Sequence, residues 1–233
     1  MDKLRIGIVG AGFGSYGLLP AFRRHEFCEV TAIATTVAGT ATRLRIPFSY
    51  VSWEHLVDSD QVDAIAIATP PVFQPAIALA ALSLGKPVFA EKPIAANLAD
   101  AEKLWKAAEQ SKLANVVDFL FPELLVFAKA KELISMGRIG VPLHISADWI
   151  FWSHDHRNYA TTWRTDAMAG GGALAHFGSH MLYYMQWFFG PIRSVTARVA
   201  KPKDYRHSGD TLAALMLTFE NGTSGTLTVS SGI

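Results

Sequence analysis

Apolar residues recur along the first half of the chain in short bursts. The runs at 4–9, 30–34, 62–68 and 87–90 are of strand length, with shorter candidates at 47–51 and 114–118. Short continuous apolar runs bounded by turn residues are the mark of strands buried on both faces. Helical spacing fills the intervals. It follows the glycine-rich 10–15 to about His25, covers 53–58, spans 76–84 up to the C-cap signal Gly85, and runs over 97–112. In that last helix Leu98, Ala101, Leu104, Trp105 and Ala108 are expected to share a buried face, with Asn97 as N-cap. Strands alternating with helices imply right-handed crossovers and a parallel sheet covered on both sides. The pattern changes near 118–122. A helix is expected over 123–136, a strand over 143–151, a polar aromatic loop over 154–165 and a long helix over 173–189. Strands follow at 193–200, 211–220 and 223–231, the last two joined by Asn221-Gly222, read as a hairpin turn with both residues at positive φ. The fold class is therefore α/β: a doubly wound parallel sheet over 1–119, then an α+β domain with a mainly antiparallel sheet over 120–233.

Composition narrows the function. The chain has 233 residues, half of them hydrophobic and 18% charged, so it can bury a large core and is not disordered. Its formal net charge is +1, with no Lys/Arg run, which gives no electrostatic case for nucleic acid. No apolar run approaches the ~18 residues of a membrane span. The N-terminus lacks the pattern of a signal peptide, so a cytoplasmic protein is expected. The one cysteine, Cys28, cannot form an intramolecular disulfide and is read as a small buried apolar residue.

Gly10-Ala11-Gly12-Phe13-Gly14-Ser15 follows a strand and opens a helix. Gly10 suits the tight turn and Gly12 the close approach of a pyrophosphate. The helix N-terminus offers unpaired N–H groups to phosphates, and Ser15 stands where the pattern has its third small residue. This reads as a Rossmann dinucleotide fingerprint, the alternative being a merely structural tight turn, and Thr69-Pro70 at the end of the 62–68 strand is expected on the same crevice. The second strand should end in a carboxylate for the ribose hydroxyls of NAD, but it ends in Ala34-Thr35-Thr36. Thr35, Thr36 and a nearby Arg43 or Arg45 would accept a 2′-phosphate, so NADP is favoured over NAD. The alternative is that both arginines are solvated surface charges.

The fifth strand ends in Glu91-Lys92-Pro93, beside the expected nicotinamide. Pro93 is expected to hold Lys92 extended. Strand–GAGFG–helix, Ala68-Thr69-Pro70-Pro71, Gly85-Lys86-Pro87 and Glu91-Lys92-Pro93 occur in that order. They are followed by Met136-Gly137-Arg138-Ile139-Gly140, Gly170-Gly171-Gly172-Ala173-Leu174 and Gly178-Ser179-His180. This ordered set resembles the Gfo/Idh/MocA family over essentially the whole chain. The resemblance implies an NAD(P)-dependent oxidoreductase of sugars, polyols or related compounds. In it Glu91 and Lys92 lie at the cofactor, Lys92 orients the reacting oxygen and His180 exchanges its proton. It also implies a homodimer or higher homo-oligomer through the open sheet face. Members of this family usually continue with more strands and a final helix, so the second domain reads as incomplete.

His176 and His180 are four apart and share a helix face. His176 stands where the family's D-x-x-x-H pattern has aspartate, which puts substrate class and dehydrogenase activity in question. With His154-Asp155-His156 the pair could also ligate a metal, but the sequence fits a cofactor site better and no metal is assigned. Trp163 offers an aromatic face for a sugar-like ring, although core and interface packing is the commoner role of such aromatics, and Arg164 suits a carboxylate or phosphate, although a structural salt bridge explains it equally. Two rival readings share the fold: a non-catalytic dinucleotide-binding regulator and an NAD-dependent glycosidase.

Overall fold

The computed structural model describes residues 2–203 and 205–232; Met1, Asp204 and Ile233 lie outside the described residues. They form two compact units, Met1–Asp118 and Phe119–Ile233.

The first unit is built on a six-stranded parallel sheet: β1 (Leu4–Val9), β2 (Cys28–Ala34), β3 (Phe48–Tyr50), β4 (Ala64–Ile67), β5 (Val88–Ala90) and β6 (Asn115–Val117), in the order β3-β2-β1-β4-β5-β6. Both faces are covered, which is why the strands read as unbroken apolar runs. Alternation along each strand sorts side chains into two cores. Val9, Ala32, Ala34, Ile65 and Ile67 face one side with α3 (Trp53–Asp58), α4 (Gln74–Ser83) and α5 (Leu98–Ser111). Ile6, Ile8, Ile33, Ala64 and Ala66 face the other with α1 (Leu19–Arg24) and α2 (Thr40–Leu44). A π-helical turn, Gly14–Leu18, leads into α1.

Asn97 caps α5, its side chain accepting the Asp100 N–H. The buried face of α5 is narrower than the sequence suggests. Leu104 is buried, with Ala107 and Ala108 packed beside it, whereas Leu98 and Trp105 are 74% and 57% exposed. At about 100° per residue, Trp105 lies about 100° and Leu98 about 120° around the helix from Leu104, beyond the contact stripe. Cys28 is only half-buried, at the start of β2, with its Sγ 3.8 Å from His25 Nδ1.

The second unit has a four-stranded sheet, β7 (His144–Ile150), β8 (Ile192–Ala200), β9 (Leu212–Phe219) and β10 (Ser224–Ser230), in the order β7-β10-β9-β8. Two of its three pairings are antiparallel; β10 with β7 is parallel. Ala213, Leu215, Leu217 and Phe219 of β9, with Leu227 and Val229 of β10, are buried with Met181 and Met185 of α8 (Ser179–Phe189). The intervening Ala214, Met216 and Thr218 are exposed. α6 (Leu125–Ser135) starts two residues later than expected, after a 3-10 turn at Phe121–Glu123.

Two local expectations change. The 154–165 segment is not a plain loop. It holds α7 (His154–Arg157), whose cap Ser153 accepts the His156 N–H, and a 3-10 turn, Trp163–Thr165, closed by a Thr162/Thr165 capping box. The β9–β10 turn has positive φ only at Gly222, among the described residues. Phe219 N–H donates to Thr223 O and Gly222 N–H to Phe219 O, so three residues, 220–222, close the hairpin. That geometry, a turn ending in a left-handed glycine, needs no positive φ at Asn221; its side chain instead accepts the Thr223 N–H.

Leu104→Ala is expected to destabilise the first unit by about 2–5 kcal/mol. Leu98→Ala should stay within about 0.5 kcal/mol. Urea unfolding of the two variants checks which face of α5 is buried.

Candidate active site

Strand order in the first sheet reverses between β1 and β4, and ligands of such sheets bind beyond the carboxyl ends of the strands at that point. Backbone hydrogen bonds align those ends. Thr35 N–H donates to Tyr50 O, Gly10 to Ala34 O, Ala68 to Val9 O, Glu91 to Ile67 O and Asp118 to Ala90 O, all between 2.8 and 3.0 Å. The residue just past each strand is thereby tied to the next strand. Thr35, Gly10, Ala68, Glu91 and Asp118 stand in one row.

Gly10 is at φ +102°, and a Cβ there would come within 2.5 Å of Ala68 O, so no other residue fits. A Cβ on Gly12 would meet nothing within 4 Å, leaving the backbone approachable. Close packing of helix on strand falls to Gly14, against Ile8, rather than to Ser15 as the spacing suggested. Ser15 Oγ and Thr69 Oγ1 are buried without a hydrogen-bond partner. An open glycine loop with two orphaned hydroxyls fits a phosphate-bearing cofactor, since buried polar groups are costly unless paired. Pro70 begins the turn into α4, its carbonyl accepting the Phe73 N–H. Phe13 is half-exposed, its ring lying over Gly17 and edge-on to Tyr16. The Thr35 hydroxyl accepts the Val37 N–H at 3.1 Å, Thr36 is exposed, and Arg43 lies on the exposed side of α2.

At the end of β5, Glu91 lies beside Asp118. Burial, the hydrogen bond with Asp118 and the charge of that carboxylate push the Glu91 carboxyl up to about 8, against an opposing pull from Lys92. The Lys92-Pro93 peptide is cis. Pro93 O accepts the Gln74 side-chain N–H at 2.9 Å, and Gln74 is fully buried at the start of α4. Gln74 and Asp118 escaped the sequence reading because neither belongs to a motif.

In the second unit the helix bearing the two histidines begins as a π-helical turn, Leu174–Gly178, and continues as α8. Its N-terminus is anchored by Asp210, whose Oδ2 accepts the Leu174 N–H and whose backbone carbonyl accepts the Ala173 N–H, both at 2.9 Å. Gly172, at φ +118°, makes room: a Cβ there would overlap Asp210 Oδ1. Burial pushes the Asp210 carboxyl up, opposed by the amide N–H groups it accepts. His180 is buried, with Phe119, Phe121 and Trp149 around it at centroid distances of 5.1 to 6.4 Å. His176 is half-buried, edge-on to Trp163 at 5.2 Å and against Phe177 at 4.1 Å. It lines a cavity of about 390 Å³ with Phe151, Trp152, Asp155, Arg164 and Phe177. His180 is not among the lining residues. Trp163 flanks the cavity through Arg164, whose guanidinium lies 5.0 Å from the indole centre. Among the described residues no group of three His, Cys, Asp or Glu side chains could hold a metal ion, and no helix is long and apolar enough to cross a membrane.

The family model for the oxidoreductase family with an NAD-binding Rossmann fold matches residues 4–119, and that for the GFO/IDH/MocA C-terminal domain matches residues 127–232. The chain belongs to the GFO/IDH/MocA oxidoreductase family. An uncharacterized oxidoreductase of Synechocystis is 30% identical over 202 residues, covering 85% of this chain and 54% of the relative. Levoglucosan dehydrogenase of Pseudarthrobacter phenanthrenivorans is 27% identical over 213 residues, covering 84% of this chain and 54% of the enzyme. The chain thus spans about half the length of these curated relatives. Among solved structures, the WlbA dehydrogenase of Bordetella pertussis, in complex with NADH and UDP-GlcNAcA, matches with a TM-score of 0.88 and 25% identity over 98% of this chain and 71% of that one.

The raised Glu91 carboxyl has a consequence for stability. Between the usual 4.5 and about 8, the folded chain keeps a proton on Glu91 that the unfolded chain has lost. Stability contributed at low pH is therefore lost as pH rises through that window. Glu91→Gln should flatten this loss, and its melting temperature relative to the parent chain should rise from pH 5 to pH 8.5. A constant difference across that range would contradict the assignment.

Proposed function

We propose that the chain is an NAD(P)-dependent oxidoreductase that moves a hydride between the nicotinamide and a carbinol or carbonyl carbon of a sugar-like or polyol substrate. The observation that carries this is the aligned row of strand ends, with the open glycine loop at the point where strand order reverses. Gly10, Gly12, Phe13 and Gly14 would hold the pyrophosphate, with Ser15 and Thr69 donating their unpaired hydroxyls and Pro70 shaping the crevice wall. Thr35, Thr36 and Arg43 would hold the adenosine side. No carboxylate stands at the end of β2 to repel a 2′-phosphate, which favours NADP over NAD. Bound there, the nicotinamide supplies the hydride acceptor or donor.

Lys92 orients the reacting oxygen, with Glu91 beside it held neutral by its own burial and by Asp118. His180 exchanges the proton of that oxygen through its imidazole. His176, Trp163 and Arg164 contact the remainder of the substrate. The names of two relatives support a carbohydrate substrate: a levoglucosan dehydrogenase and a dehydrogenase solved with a sugar nucleotide. The partners implied are a small molecule and further copies of this chain, associated through the open face of the second sheet.

Fluorescence titration with NADPH and with NADH is the first test, with NADPH expected to bind tighter. Binding of neither by folded protein would remove the reading. Binding without turnover on any carbohydrate would favour a regulatory protein, the role that His176 in place of a carboxylate keeps open. With a substrate in hand, Lys92→Ala and His180→Ala should each lower kcat by roughly 10²-fold or more, the usual scale for a positioned acid–base group.

A further inference from the structure

The cavity beside His176 is built wholly from the second unit, and its volume of about 390 Å³ falls in the range of small-molecule sites. Phe151, Trp152 and Phe177 give it flat apolar walls. Its fixed charges are Asp155 and Arg164, and their states differ.

Asp155 is committed to the protein. It is mostly buried, and its Oδ2 accepts the Thr162 hydroxyl at 2.6 Å. Arg164 lies 3.7 Å from that same oxygen, beyond hydrogen-bond length, so the contact is a charge attraction only. Among the described residues the guanidinium makes no hydrogen bond, although it carries five N–H donors. It is nevertheless held in place. The Arg164 N–H donates to Thr162 Oγ1 at 3.2 Å and its carbonyl accepts the Gly172 N–H at 2.9 Å. The head group lies over Trp163. An arginine that served only as a strut would spend its N–H groups on a carboxylate at about 2.7–2.9 Å. Here the backbone is pinned, the head group lies over an indole and the donor fork is left open toward a cavity.

We propose that this cavity takes a carboxylate-bearing ring, a sugar acid or cyclic polyol acid, with Arg164 gripping the carboxylate. The inference rests on the oxidoreductase reading and names the substrate class of that site. A planar two-oxygen anion matches the guanidinium fork, which a point charge would not require. Aromatic walls suit the apolar faces of a saturated ring, with its hydroxyl edges left to polar neighbours such as His176. A phosphate ester is disfavoured, because no second Lys or Arg lines the cavity to meet a second negative charge.

The test is calorimetric titration of the full chain with glucuronate, galacturonate and quinate, each against its neutral counterpart glucose, galactose or inositol, and with glucose 6-phosphate. At least one acid should bind about tenfold or more tighter than its neutral partner and tighter than the phosphate ester. That preference should vanish in Arg164→Gln and survive in part in Arg164→Lys, with the far-UV spectrum and melting temperature checking that each variant folds. Equal binding of all acids and neutral compounds, absence of binding by every acid, a preference for the phosphate ester, or an acid preference that persists in a folded Arg164→Gln would each overturn the proposal. Dinucleotide titration of the parent chain separates the failures. If NADPH or NADH binds and no acid is preferred, only the substrate class is wrong. If neither dinucleotide binds, the oxidoreductase reading has failed independently of Arg164.

Discussion

The ladder of backbone hydrogen bonds that ties each strand end to its neighbour is the constraint on which the first unit's chemistry depends. In a parallel sheet every strand points the same way, so all carboxyl ends reach one edge. The five bonds from Thr35, Gly10, Ala68, Glu91 and Asp118 fix how far each end protrudes. A glycine loop, a pair of carboxyls and a lysine, distant in sequence, are thereby placed along one line. The two-sided apolar core supports this arrangement. Alternating residues of β1, β2 and β4 feed opposite cores, so a slip of one residue would exchange both.

The second unit uses a different device. Its sheet is buried on one face, and its histidine-bearing helix is held at one end by Asp210. A carboxyl that accepts N–H groups at a helix N-terminus satisfies donors that otherwise have no partner and favours the positive end of the helix dipole. Gly172 is what allows that carboxyl to come so close. The glycine run is therefore structural at this point, whereas the loop at Gly10–Gly14 leaves its space open. The same residue type serves opposite ends: one glycine is filled in by the protein, the other left clear for a ligand.

Charge in the two units is arranged for unequal availability. Glu91 is kept protonated near neutral pH by burial and by Asp118, against an opposing pull from Lys92. In the second unit Thr162 takes up the Asp155 carboxylate, and the Arg164 guanidinium keeps its hydrogen-bonding fork. In that second case one member of a potential pair is occupied, and the other retains its capacity to bind.

The sequence alone determined the parallel αβ architecture, the glycine loop, the strand-end Glu91-Lys92-Pro93 and the helix carrying His176 and His180, because each is written in local periodicity or in a contiguous motif. It did not disclose the width of the α5 contact face, the three-residue hairpin at 220–222 or the caps at Ser153 and Thr162, since these turn on which of several permitted local geometries the surroundings select. Only the tertiary structure decided that Gln74 braces Pro93, that Asp118 neutralises Glu91, that Asp210 anchors Leu174 and that Thr162 occupies Asp155 while Arg164 stays open. Most of these are contacts between residues far apart in the chain, and a carboxyl or amide carries no sign in the sequence of the partner that folding will bring to it.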